Sequence, residues 1–201
     1  MAQIRGRMHR IHRFLVASLV GLIAVGAFAA DDEKEKEEER TEIRQMTQDT
    51  LIRLYKAQPA AKAAVEKGYG YAVFSNAGIK KILLAGSGKG KGLAVNNMIQ
   101  NQTFMKMLEV QAGLGIGVKK FRVVFVFENQ KAFDSFVNSG WEFGGQTSAA
   151  AKTSPEKGGS MQGAASVSEG VWMYQLTDKG LALEITAKGT KYSKDGDLNK
   201  S

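Results

Sequence analysis

Glycine occupies every second position in Gly86-Ser87-Gly88-Lys89-Gly90-Lys91-Gly92, and the spacing recurs in Gly113-Leu114-Gly115-Ile116-Gly117. Successive side chains of a strand project to opposite faces, so a strand of this kind carries one face of nearly bare backbone. Glycine is unfavourable inside a strand and marks a bend, a bulge or a close approach by another group. Two such stretches predict a tightly curved sheet with a flattened or hollow face. Gly86, Gly88, Gly90, Gly92, Gly113, Gly115 and Gly117 are then structural positions. A phosphate cradle does not fit the spacing. A P-loop needs glycine where Lys91 stands, and a dinucleotide fingerprint started at Gly86 or Gly88 meets Lys91 or Leu93 instead of its third glycine. Neither run opens a helix that would bind an anion at its N-terminus, so no nucleotide is expected.

The chain begins with a different kind of segment. Arg5, Arg7, Arg10 and Arg13 stand in the first 13 residues with no acid among them. Phe14 to Gly26 is apolar apart from Ser18, and Ala27-Phe28-Ala29 follows. A basic end, a short apolar stretch and a small-x-small site describe a secretory leader cleaved near Ala29, with an uncleaved anchor as the alternative. The expected location is periplasmic or secreted. No cysteine stands at the cleavage site for lipidation, and no later stretch reaches the roughly 20 apolar residues of an ordinary span.

Without that leader's four arginines, 24 basic side chains face 20 acidic ones. Asp31 to Arg40 holds seven acids and three bases, so the remainder carries 21 bases against 13 acids. A basic body behind an acidic leader suits either simple solubility or an anionic partner such as phospholipid. Both histidines, His9 and His12, lie in the leader, and the chain has no cysteine. That removes disulfides, Ser-His-Asp and Cys-His nucleophile systems, and thiolate or imidazole metal sites. No metal or cofactor is expected.

Four regions follow: the leader 1–29, an acidic segment and helix over 30–58, one domain over 59–193, and a loose polar tail over 194–201. Ile43, Met46, Thr50 and Leu54 fall at helical spacing within a helix over 31–57, whose acidic start reads as a solvated, frayed extension. Pro59 starts a short helix, Ala60–Lys67, ended by Gly68. The period then shortens. Strands are predicted over Tyr69–Phe74, Lys80–Ala85, Lys89–Val95, Phe104–Val118 (one bent strand), Phe121–Phe127, Trp141–Ala151, Val171–Leu176 and Leu181–Ala187. The run Phe121–Phe127 is the most apolar after the leader and reads as a central strand covered on both faces. A helix over Asn129–Asn138 interrupts the strands, turning Ala132, Phe133, Phe136 and Val137 inward and closing at Gly140. Trp141 reads as a core anchor. Residues 153–169 form a long Gly/Ser/Ala connection, and Thr177-Asp178-Lys179-Gly180 signals a hairpin. The fold class is α+β: N-terminal helices, then a mostly antiparallel, strongly curved sheet or partial barrel with one inserted helix.

The chemistry-bearing residues are fewer. Lys89 and Lys91 project opposite the glycines, Lys80 and Lys81 are close in sequence, and Lys119, Lys120 and Arg122 stand where the second glycine run exits. Brought together by neighbouring hairpins, these seven form a basic patch that attracts anionic lipid at about 1 kcal/mol per residue. The competing reading is that lysines guard an exposed sheet face or edge. Aromatics do not alternate with the basic residues, so no nucleic acid is expected. Glu109, Glu128, Asp134, Glu142, Glu169, Asp178 and Glu184 are scattered, and no spacing selects a pair for carboxylate-based hydrolysis.

From about Ala60 to Ser193 the chain resembles the SYLF domain family. The resemblance rests on Ala63-Ala64-Val65-Glu66-Lys67-Gly68-Tyr69-Gly70-Tyr71-Ala72-Val73-Phe74 and on the alternating Gly86–Gly92. It continues through Gln111-Ala112-Gly113-Leu114-Gly115-Ile116-Gly117, the Phe121–Phe127 run and Phe136-Val137-Asn138-Ser139-Gly140-Trp141-Glu142-Phe143-Gly144. It ends with Lys179-Gly180-Leu181-Ala182-Leu183-Glu184 before Gly189. The resemblance implies an α+β, non-enzymatic domain of the lipid-binding or actin-binding type, here in an exported bacterial form. Its alternatives are an envelope structural or protein-interaction module and, below that, a hydrolase. Eukaryotic relatives reach phosphoinositide membranes through an amphipathic N-terminal helix and basic residues. Here the leading helix is acidic, with Arg44, Arg53 and Lys56 following, so an anionic-lipid site would rest on the sheet lysines.

Overall fold

The computed structural model describes residues 8–76, 89–109, 121–143, 152–153, 161–178, 180–182 and 190–200, with the backbone alone for 8–30, 109, 143 and 152–153. The chain divides into two compact units, Met1–Glu39 and Arg40–Ser201. Helix α1 (Met8–Ala57) supplies the described part of the first unit and opens the second. In the first unit the acidic run is helical and mostly exposed, with Lys36 paired to Asp32 one turn earlier.

The second unit is an α+β fold. Helix α2 (Ala60–Lys67) follows α1, then strands β1 (Gly70–Ser75), β2 (Lys89–Asn96), β3 (Asn101–Glu109) and β4 (Arg122–Phe127). Helix α3 (Gln130–Asp134) runs into a π turn (Ser135–Ser139). The remaining strands are β5 (Trp141–Phe143), β6 (Lys152–Thr153), β7 (Ala165–Ser168), β8 (Val171–Thr177), β9 (Gly180–Leu181) and β10 (Thr190–Lys194). One curled antiparallel half-barrel contains the ten described strands, in the order β5-β10-β3-β2-β1-β4-β8-β7-β6, with β9 also on β8.

Each face of the sheet is covered by helix. On one side Ile43, Met46 and Leu54 of α1 and Ala61 and Val65 of α2 pack on Val73, Leu93, Phe104, Val124, Val126, Trp172 and Tyr174. The 3–4 residue spacing of the α1 positions gives them one face, and Thr47 and Thr50 remain on it because each hydroxyl donates to a carbonyl one turn back, Ile43 and Met46, at 2.8 and 2.7 Å. On the other side Phe133, Phe136 and Val137 pack on Ala72, Phe74, Phe125, Phe127, Met173 and Tyr192. Strand β4 lies between β1 and β8 with residues 123–127 buried, the doubly covered central strand that its unbroken apolar run predicts. Trp141 packs edge-on against Phe125 at 5.5 Å and tilted against Phe136 at 5.9 Å, as a core anchor does.

The glycine face is filled rather than hollow. Gly70, Gly90 and Gly92, with Ala72 and Ala94, lie on the α3 side of β1 and β2. A Cβ on Gly92 would overlap the ring of its cross-strand neighbour Phe74 and the Val73 carbonyl; one on Gly90 would overlap Met107 Cε and the Ser75 carbonyl. Large side chains therefore lie flat across a glycine backbone, the close approach that alternation signals. Gly86, Gly88, Gly113, Gly115 and Gly117 fall outside the described residues, as do the predicted strand Lys80–Ala85 and the ends of the predicted strands beyond 109, 143 and 182.

Four local expectations change. The inserted helix holds α-geometry for one turn and then widens into the π turn before Gly140, whose φ of 72° ends it. The connection 153–169 contains β7, whose small residues Ala165 and Ser166 pair with Met173 and Trp172. Thr190–Lys194, absent from the predicted strands, fills the place between β5 and β3. Residues 195–200, read from sequence as a loose tail, are pinned: Leu198 is 3% exposed, and Asn199 exchanges hydrogen bonds with the Phe104 backbone at 3.0 and 2.7 Å. Arg40 completes that attachment by donating to the carbonyls of Leu198 and Lys200 at 3.0 and 3.1 Å. Polar composition hid these contacts because they run through backbone groups rather than apolar side chains.

Candidate functional site

Antiparallel register places Lys106 of β3, Lys91 of β2, Ser75 of β1 and Arg122 of β4 in one row across four adjacent strands. Cross-strand partners project to the same side. Parity with Val73, Leu93, Phe104 and Val124 puts the row on the α1 side, at the end of the sheet where the apolar core gives way to polar residues. Strands are about 4.8 Å apart, so Lys91 and Arg122 stand roughly 10 Å apart along the row. Of the seven basic residues predicted from sequence, the structure describes Lys89, Lys91 and Arg122; Lys80, Lys81, Lys119 and Lys120 lie outside the described residues. Lys89 is exposed two residues beyond Lys91 on the same strand face.

The row divides into two electrostatic environments. At one end the Asp195 side chain, 1% exposed, bridges Lys91 at 2.5 Å and Lys106 at 3.3 Å. Its carboxylate also accepts from the backbone N–H groups of Asp197 and Leu198 at 3.1 and 3.4 Å. Burial opposes ionisation of Asp195, but the hydrogen bond and charge of Lys91, the Asp197 N–H and Lys106 outweigh it and hold the carboxyl below its ordinary range. This end is a closed ion-pair network in which Lys91 fixes the chain's C-terminal turn.

The other end is less compensated. The guanidinium of Arg122 has its Nε buried with no hydrogen-bond acceptor among the described residues. Burial is the main influence that lowers the Arg122 pKa; the like charge of Arg53 on α1 adds to it, and Asp178 and Asp49 oppose it. Two guanidinium groups, half-buried Arg122 and exposed Arg53, thus share the junction of α1 and β4 with the carboxylates of Asp178 and Asp49. Such a place favours an anion that accepts from Nε and screens the repulsion. Arg53 was visible in sequence as one of three bases on the leading helix; its approach to Arg122 depends on how α1 crosses the sheet. Lys106 and Asp195 were missed. Lys106 had a signal in the alternation Phe104-Met105-Lys106-Met107, while Asp195 lay in a segment read as tail.

Of the scattered carboxylates, Glu184 and the side chain of Glu109 lie outside the described residues, and the described contacts of Glu128, Glu142 and Asp134 bring no two of those three together. Glu128 accepts from the Trp172 indole at 3.0 Å, Glu142 pairs with Lys191 at 3.2 Å, and Asp134 accepts from Gln130 at 3.2 Å. Among the described residues no group of three acids is placed to hold a metal ion. Nor is any helix among them long and apolar enough to cross a membrane, which leaves strand-built spans unaddressed.

A curled antiparallel half-barrel, helix-covered on both faces, is an α+β domain. Residues 108–201 match the family model described as Ysc84, Las17-binding protein actin regulator. The chain is also 37% identical over 169 residues to Beta cell expansion factor A of Aeromonas veronii, an alignment covering 84% of this chain and 62% of that protein. The chain thus spans under two thirds of that relative's length. Residues 108–201 thus match the Ysc84-type, or SYLF, family, and the similarity to that relative extends beyond them.

Proposed function

We propose that this protein is an exported, non-enzymatic SYLF-type module that binds the surface of anionic phospholipid membranes in the cell envelope, with residues 1–29 as its export leader. The observation that carries this reading is the half-buried Arg122 guanidinium, whose Nε lacks an acceptor among the described residues and which feels the like charge of Arg53. A lipid phosphate offers oxygen acceptors to the half-buried Arg122 guanidinium and to exposed Arg53, and arginine binds phosphate bidentately. Lys89 and the basic excess after residue 40 supply longer-range attraction.

Co-sedimentation with vesicles tests it. The protein is expected to bind phosphatidylglycerol vesicles over neutral phosphatidylcholine vesicles, and to release them as salt rises from 0.05 to 0.5 M. Arg122→Gln is expected to lower the anionic-vesicle affinity about tenfold, the loss of one charge-assisted contact. Equal binding to neutral and anionic vesicles, or indifference to salt, would sink the proposal. A second reading, a protein-interaction module, is favoured by the family model's description, which names binding to a protein. The acidic segment 31–40 is then the surface that meets a basic partner. Its deletion would have to remove that partner in a pull-down.

A further inference from the structure

The β2–β3 hairpin ends in a feature the lipid-facing row does not use. Met98 and Ile99 at its tip are 60% and 70% exposed. Exposed apolar side chains are ordinary when single. These two are adjacent, in the turn between β2 and β3, and that turn is heavily braced. Asn96 Oδ1 accepts from the backbone N–H groups of Met98 and Ile99 at 2.9 and 3.3 Å. Asn97 donates its side-chain amide to the carbonyls of Val65 and Gly68 at the end of α2, at 2.8 and 2.9 Å, and its backbone N–H to Tyr69 at 3.0 Å. Gln100 donates to the Asn97 carbonyl at 2.7 Å and adopts a φ of 54°, left-handed backbone that a residue with a side chain seldom takes. Two asparagines and a glutamine thus hold a strained turn in a shape whose visible consequence is to present two apolar side chains to solvent. Strain maintained in this way marks sites where shape is used.

We infer that the Asn97–Gln100 tip is an apolar anchor that inserts Met98 and Ile99 into the acyl–headgroup boundary of an anionic membrane. This rests on the lipid reading and adds a second, non-electrostatic point of attachment to it. Two side chains are a small part of the roughly 1,200 Å² that a specific protein interface buries. A fluid lipid interface requires no matching shape, so a convex pair suffices there. The basic excess of the body, 21 bases against 13 acids after Arg40, brings the tip to an anionic surface. Lys67, exposed at the end of α2 beside the turn, stands at headgroup level when the tip is inserted. Asn96 and Lys91 are five residues apart on β2, roughly 17 Å, so the tip and the basic row can be removed independently.

The absence of cysteine gives a clean experiment. In full-length protein, Ile99→Cys carries an environment-sensitive fluorophore, and Ser139→Cys, exposed in the π turn on the sheet face opposite the basic row, carries the control label. With phosphatidylglycerol vesicles the label at 99 is expected to shift to the blue, brighten several-fold and be quenched by acyl-chain quenchers, while the label at 139 stays unchanged. Unlabelled Met98→Ser/Ile99→Ser protein is expected to bind the same vesicles on the order of tenfold more weakly, with unaltered thermal unfolding and unaltered salt dependence. If the protein sediments with anionic vesicles while the label at 99 keeps its aqueous spectrum, the anchor is overturned and the electrostatic reading survives. If the protein fails to sediment with anionic vesicles at all, both are overturned.

Discussion

Asp195 shows how one residue can decide whether a basic cluster is a binding surface or a structural joint. Its carboxylate is buried between Lys91 and Lys106. Replacing it with alanine leaves Lys91, whose side chain is 19% exposed, beside a second cation without the carboxylate the two share. Removing one partner of a buried pair strands the other charge, so Asp195→Ala is expected to cost about 2–3 kcal/mol in urea unfolding. Acid gives the same information without mutation. The folded pKa of Asp195 is depressed, so its contribution is complete above the ordinary carboxylate value and is lost as pH falls through the folded one. Stability of the wild type is expected to decline from about pH 4 downward, and Asp195→Asn is expected to flatten that part of the curve. A curve of the same steepness in both proteins would remove Asp195 as the titrating group. Gly92 makes the matching case for packing. Its missing Cβ is the space occupied by the Phe74 ring, so Gly92→Ala is expected to destabilise by about 1–3 kcal/mol through overpacking.

The elements differ in how far their sequence announces them. Strand β4 and the α1 face were legible because apolar side chains alone determine their burial: an unbroken run for the strand, a 3–4 residue spacing for the helix. Strand β10 was not legible, although Thr190 and Tyr192 are buried in alternation with exposed Lys191 and Ser193. Only five residues carry that pattern, and a threonine and a tyrosine inside a lysine-rich segment read as surface. The glycine alternation was legible as close approach, but the identity of the approaching group depended on register, which brings Phe74 opposite Gly92 and Met107 opposite Gly90. The candidate site was legible in part for the same reason. Sequence places Lys91 and Arg122 31 positions apart; shared pairing with Ser75 puts them in one row. What sequence could not give was the partition between them, because Asp195 and Arg53 arrive from opposite ends of the domain. The inserted helix adds an element-scale expectation. The Asn129 side chain caps α3 by accepting from the Ala132 N–H at 3.0 Å. Asn129→Ala is therefore expected to cost about 1 kcal/mol, read by thermal unfolding.

At the scale of the whole molecule, the second unit is closed by its own ends. Arg40 at its start donates to the carbonyls of Leu198 and Lys200 near its finish. Between those points, Leu198 is buried in the core under α1, Asp195 neutralises two strands, and Asn199 occupies the backbone edge of β3 at Phe104. Among the described strands β5 and β6 end the sheet order, and the helices and the C-terminal turn bridge strands that are not neighbours in it. A chain ended after Lys194 loses one buried leucine, the Asp195 ion pairs and the Asn199 exchange together. Burial of the leucine alone contributes about 1.5–3 kcal/mol, and loss of the buried Asp195 ion pairs adds a comparable amount. That total is a large fraction of the 5–15 kcal/mol that domains have in hand. The truncated chain is expected to unfold at a markedly lower urea concentration, or to lose cooperative unfolding, while a control lacking residues 31–38 keeps the wild-type midpoint. A truncated chain with an unchanged midpoint would show that the C-terminal turn rests on the domain without supporting it.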